Sequence, residues 1–180
     1  MANPDVGQQG SRSLPVHTNR DFHSRSFLLQ RVQPALSGLM DGSLSTLAPI
    51  FAVALATHRP LTAFYTGLAT ALGAGVSMAF SEGLSDTGDL TGRGTPVVRG
   101  AITGCGTFVG GVFHTMPFLI NDYHAAIVVA ITVVAVELLV LAWLRSTFFH
   151  MSFARSFVSV TLGGAIISAL SAGLGVAAAG

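Results

Sequence analysis

Residues 125–144 run AAIVVAITVVAVELLVLAWL, and the reading of this stretch decides the fold. It is apolar over the roughly 20 residues that a helix needs to cross the hydrocarbon core of a bilayer. One charge, Glu137, interrupts it. A backbone in lipid has no water to bond, so a single span of this kind must be a helix that satisfies its own N–H and C=O groups. Four further stretches qualify on either side of it, at 35–57, 61–81, 97–120 and 153–179. The separators between them are short and carry the chain breakers and charges: His58-Arg59-Pro60, then Ser85 to Gly94, then Asn121-Asp122-Tyr123, then Arg145 to Ser152. The expected fold is therefore all-α, a polytopic membrane protein with five transmembrane helices spanning 35–180. Residues 1–34 form a flexible cytoplasmic N-terminal tail ahead of it.

Composition agrees. Of the 180 residues 51% are hydrophobic and 9% are charged, against about 25% charged in soluble domains. All nine cations are arginine, which with the abundance of Ala and Gly points to a bacterial coding bias and hence to a bacterial inner membrane. No signal peptide is expected, since the first 30 residues lack an apolar segment followed by a small-residue cleavage site. With the N-terminus in the cytoplasm, eight arginines (12, 20, 25, 31, 93, 99, 145 and 155) fall on the cytoplasmic side and Arg59 alone outside. That asymmetry sets the orientation, and five spans then put the C-terminus outside. Small residues at Gly100/Gly104, Gly106/Gly110 and Ala165/Ala169/Gly173 have helix-packing spacing, read chiefly as packing within one subunit. Gly73-Ala74-Gly75 reads the same way. Cys105 reads as a small buried residue, and Pro49 and Pro117 are expected to kink their helices.

Charged and imidazole groups inside spans are costly and normally face a bundle interior or a water-filled path. Asp41 lies near the start of the first span. Met78, Glu82 and Asp86 stand at i, i+4 spacing at the end of the second, and share one face if the helix continues that far. A thioether and two carboxylates would suit a divalent cation, with the sulfur biasing the choice toward transition metals. The same two carboxylates read equally as helix-end groups balancing Arg93 or Arg99. Glu137, deep in its span with no neighbouring cation in sequence, suits proton-for-metal exchange, or else a protonated carboxyl bonded to another helix. His114, toward the outer end of the third span, could ligate iron, manganese or zinc, or simply be packed and hydrogen-bonded. The candidate metal residues are thus Asp41, Met78, Glu82, Asp86, Glu137 and His114. The tail residues His17, Asp21 and His23 lack a scaffold. No nucleophile–base constellation or Cys/His zinc cluster stands out, so neither enzymatic activity nor a resident cofactor is expected, and no nucleic-acid partner.

The stretch from Asp41-Gly42-Ser43 through Ala48-Pro49-Ile50-Phe51, followed by Gly73-Ala74-Gly75 through Met78-Ala79-Phe80-Ser81-Glu82, resembles the vacuolar iron transporter family. Leu90-Thr91-Gly92-Arg93-Gly94, His114-Thr115-Met116-Pro117 and Val136-Glu137-Leu138 look most like the membrane domain of bacterial membrane-bound ferritin iron exporters. The likeness covers about residues 35–178. It implies five helices, a homodimer with a metal path near the subunit interface, and proton-coupled movement of Fe²⁺ or Mn²⁺ out of the cytoplasm. Asp41, Met78 and Glu82 match the family's path-lining positions. The helical metal-binding insert between the second and third spans is absent, and residues 1–34 are too few for a ferritin-like bundle. Two alternatives compete: a proton-coupled exporter of organic cations, and a non-transporting assembly or regulatory membrane subunit.

Overall fold

The computed structural model describes residues 26–179; Arg12, His17, Arg20, Asp21, His23 and Arg25 lie outside them. It contains five helices long and apolar enough to cross a membrane. They are α1 (Gln33–Thr57), α2 (Pro60–Gly83), α3 (Pro96–Thr115), α4 (Tyr123–Phe148) and α5 (Phe153–Ala179), with a π-helical turn at Leu28–Val32 leading into α1 and a 3₁₀ turn at Met116–Leu119 closing α3. The expected spans agree with these to within a few residues at most ends. The main difference is at the start, where helix already runs from residue 26, inside the stretch assigned to the tail.

Local chemistry explains the boundaries. Pro60 and Pro96 stand in the first turns of α2 and α3, where a missing N–H costs nothing because no carbonyl precedes it in the helix. Asp122 caps α4, its carboxylate accepting from the Ala125 N–H at 2.7 Å. His58 ends α1 in the left-handed region, with φ 53°. Pro117 coincides with the change from α to 3₁₀ geometry at the end of α3, whereas α1 continues through Pro49.

Side-chain volume decides the packing order. α3 lies between α1 and α2, and glycines line both seams. A Cβ at Gly38 or Gly42 of α1 would run into the backbone of Thr103 or Thr107. Gly106 and Gly110 of α3 sit in return against Ala35, Leu39 and Ser43 of α1. On the other side Gly100 and Gly104 press on Ala79 and Gly75 of α2. In lipid the association of helices rests on this kind of close contact, because water expulsion no longer drives it. Both Gly pairs on α3 therefore pack within the subunit as expected. Ala165, Ala169 and Gly173 do not: all three are exposed on α5, whose inner face uses Gly164 and Gly175 instead. Cys105 is likewise exposed, since it lies on α3 away from both glycine seams. Outward apolar side chains such as Leu72, Val76, Val128 and Leu174, each more than half exposed, are the surface that lipid would cover.

α4 leans on α5 and on the 3₁₀ turn more than on α1 or α3. This leaves a cleft of about 440 Å³ along α4, lined by Leu39, Phe113, Val133, Val136, Glu137 and Val140 among others.

Candidate functional site

The six candidate metal residues do not gather in one place. Among the described residues no group of three or more His, Cys, Asp or Glu side chains is disposed to hold a metal ion. They divide into a salt-bridged cluster at one end of α2 and α3, a buried pair in the bundle interior, and two residues that join neither.

The cluster involves Glu82 and Asp86. Helix α2 stops at Gly83, so Asp86 lies beyond its last turn and the Met78/Glu82/Asp86 ladder does not form. The chain turns back through Gly88, Gly92 and Gly94, all with positive φ, a conformation open to glycine at little cost. This return brings two arginines onto the carboxylates. Glu82 Oε1 accepts from Arg93 Nη2 and Arg99 Nε, each at 2.6 Å, and Asp86 accepts from both arginines at 3.2 Å. The Arg99 side chain is wholly buried, and its remaining N–H groups donate to the Glu82 and Asp86 carbonyls and to Ser85 Oγ. Burial pushes the Asp86 carboxyl up. The Gly88 N–H, the Thr91 hydroxyl and the Arg99 guanidinium outweigh that and hold it below the usual carboxylate value. Gln30, ahead of α1, adds a bond from its side chain to the Gly92 carbonyl at 3.2 Å. The pairing with Arg93 and Arg99, one of the two sequence readings of these carboxylates, is the geometry found. Both carboxylates are engaged by cations.

The second group was not visible as a group in the sequence. Glu137 of α4, His114 of α3 and Ser43 of α1 converge from three helices. Ser43 Oγ bonds Glu137 Oε1 and lies 2.7 Å from the Leu39 carbonyl. His114 Nδ1 lies 3.1 Å from the Gly110 carbonyl. His114 Nε2 and Glu137 Oε2 then face one another at 3.2 Å. The imidazole is buried to 1% exposure and the carboxylate side chain to 15%. His114 lies in the last turn of α3, five residues before the span ends at Leu119, and its ring is buried toward the bundle interior, where the Gly110 seam draws α3 against Ser43. Glu137 also lines the apolar cleft, while Oε1 bonds Ser43 and Oε2 faces His114 out of reach of solvent.

Ser43 is the member of this group that sequence reasoning missed. Thr103 and Thr107 are also buried on the same α1–α3 seam, back-bonded to the carbonyls four residues before them. A signal existed: Arg99, Thr103 and Thr107 recur at i+4 spacing and so form one polar stripe on α3. Asp41 is half-buried on α1 and Met78 half-buried on α2. No hydrogen bond or ion pair among the described residues joins either to the other candidates. Comparison with protein-family models, with characterised proteins and with solved structures returns no match.

Proposed function

We propose that the protein is a proton-coupled exporter of a divalent transition metal, Fe²⁺ or Mn²⁺, akin to the vacuolar iron transporters. In this reading it is a homodimer in a bacterial inner membrane, its N-terminus cytoplasmic and its C-terminus outside. The observation that supports the reading best is the meeting of Ser43, His114 and Glu137 in the interior of the bundle. α4 has the highest mean hydropathy of the five spans, 2.8, yet carries Glu137. A charged carboxylate at a helix centre costs about 2.5–3.5 kcal/mol on insertion scales. Such a group persists where it serves an ion or proton path. Here it faces a second group, an imidazole, that also binds both protons and transition metals. Metal and proton compete for the same lone pairs, and that competition is the basis of exchange.

The alternatives fit less well. An organic cation would have to reach the carboxyl through the apolar cleft and displace Ser43 and His114 from its two oxygens. In a non-transporting subunit the buried imidazole–carboxylate pair would serve only to tie α3 to α4. The orientation rests on the eight-to-one arginine asymmetry.

Flux into proteoliposomes under an imposed pH gradient tests the proposal. Fe²⁺ and Mn²⁺ should move with the gradient, and Glu137→Gln should insert normally but lose gradient-driven flux. Transport of lipophilic ammonium ions without metal flux, or full flux in Glu137→Gln, would overturn it.

A further inference from the structure

We infer that His114 Nε2 and Glu137 Oε2 are the two protein donors of a binding site for one partly dehydrated divalent transition-metal ion, with Ser43 as its positioning hydroxyl. This rests on the transport reading for the identity of the ion as cargo, but it is a statement about two atoms and can fail separately.

The argument begins with hydrogens. The Gly110 carbonyl can only accept, so the His114 Nδ1 beside it carries the N–H. In the neutral ring Nε2 is then a bare lone pair. On the other side, the Ser43 hydroxyl has one hydrogen and two oxygens within reach, Leu39 O and Glu137 Oε1. Donated to Oε1, that hydrogen orients the carboxyl so that Oε2 faces the imidazole. Nε2 and Oε2 are both inaccessible to solvent, and each has only the other within bonding reach. Two lone-pair atoms buried against each other in a membrane bundle need a positive species between them to be satisfied. A shared proton or a metal ion meets that need, and the two compete for the same lone pairs.

Their separation fits a metal. Bonds of about 2.1 Å from one ion to a nitrogen and an oxygen that are 3.2 Å apart subtend roughly 100°, between the octahedral and tetrahedral angles. One imidazole and one carboxylate favour a borderline transition ion over Mg²⁺ or Ca²⁺, which prefer oxygen alone. With no third acidic or imidazole group among the described residues, water must complete the shell. Binding is correspondingly modest, as suits an ion that has to leave again.

The test uses the full chain in lipid discs with Mn²⁺ as probe, followed by electron paramagnetic resonance. Wild-type protein should bind about one Mn²⁺ at the pair, with the hyperfine coupling of an imidazole nitrogen and displacement by Zn²⁺ but not by Mg²⁺. His114→Gln should lose the nitrogen coupling, and Glu137→Gln should lose binding. Ser43→Ala should weaken binding by about 10- to 100-fold while keeping the coupling, which distinguishes a positioning hydroxyl from a ligand or a fold defect. Circular dichroism checks each variant; should His114→Gln not fold, the coupling in wild type and the Glu137→Gln titration decide. Absence of Mn²⁺ binding, bound Mn²⁺ without nitrogen coupling, or unchanged binding in Glu137→Gln overturns the site. Metal flux with no nitrogen-coupled ion would sink the site and leave the transport reading standing; a nitrogen-coupled ion that never crosses would do the reverse.

Discussion

Replacing Glu82 by Gln separates an anchor from a ligand. In the structure Glu82 Oε1 accepts two charge-assisted bonds of 2.6 Å, from Arg93 and Arg99, and Arg99 is fully buried. The amide keeps the shape and removes the charge, so a buried guanidinium loses its nearest counter-ion. Removing one partner of a fully buried ion pair costs about 3–5 kcal/mol. Two features reduce that here: Glu82 retains 18% side-chain exposure, and Asp86 still faces Arg99 at 3.2 Å. The expected loss of stability is therefore about 2–3 kcal/mol, or roughly 30- to 150-fold in the unfolding constant. Titration with SDS in mixed micelles, followed by helical circular dichroism and by the single tryptophan, Trp143, measures it. Nearly intact stability combined with lost metal binding would refute the reasoning and restore Glu82 as a ligand whose arginine contacts are incidental.

Three more expectations follow from the same geometry. Gly42→Ala should cost about 1–3 kcal/mol by overpacking, because its methyl meets the Thr107 backbone, whereas Gly73→Ala, with nothing within 4 Å, should be neutral or gain up to about 1 kcal/mol in helix propensity; the same SDS titration distinguishes them. The Asp86 carboxyl is held below its ordinary value, so its contribution is fully present above about pH 4, the unfolded value, and is lost as the pH falls through the lower folded value. Hydrogen exchange of the Leu84–Thr95 turn should rise on acidification, and Asp86→Asn should raise it already at neutral pH. Single-cysteine labelling on a Cys105→Ser background should place positions 59 and 92 on opposite faces of the membrane, and labelling from one side would reject the topology.

Five helices, their approximate ends and their apolar outer surfaces were legible in the linear sequence. The length of an apolar run and the Pro, Gly and Asp residues that punctuate it act locally, through backbone hydrogen bonds that must close within the span. The glycine seams of α3 were also legible, since i+4 spacing alone puts small residues on one face. What remained hidden depends on which helix lies against which. Spacing allowed Met78, Glu82 and Asp86 to share a helical face, but it could not show that α2 ends at Gly83, where three left-handed glycines and a buried Arg99 draw the chain back. Cys105 and the Ala165/Ala169/Gly173 stripe looked inward by composition and face outward, because an apolar helix carries little record of which side meets lipid and which meets protein. The pairing of His114 with Glu137, and the part Ser43 takes in it, joins residues far apart in sequence on three helices. Only the close approach of α1 to α3 at Gly42 and Gly110, with α4 standing beside them, sets those three side chains within bonding distance.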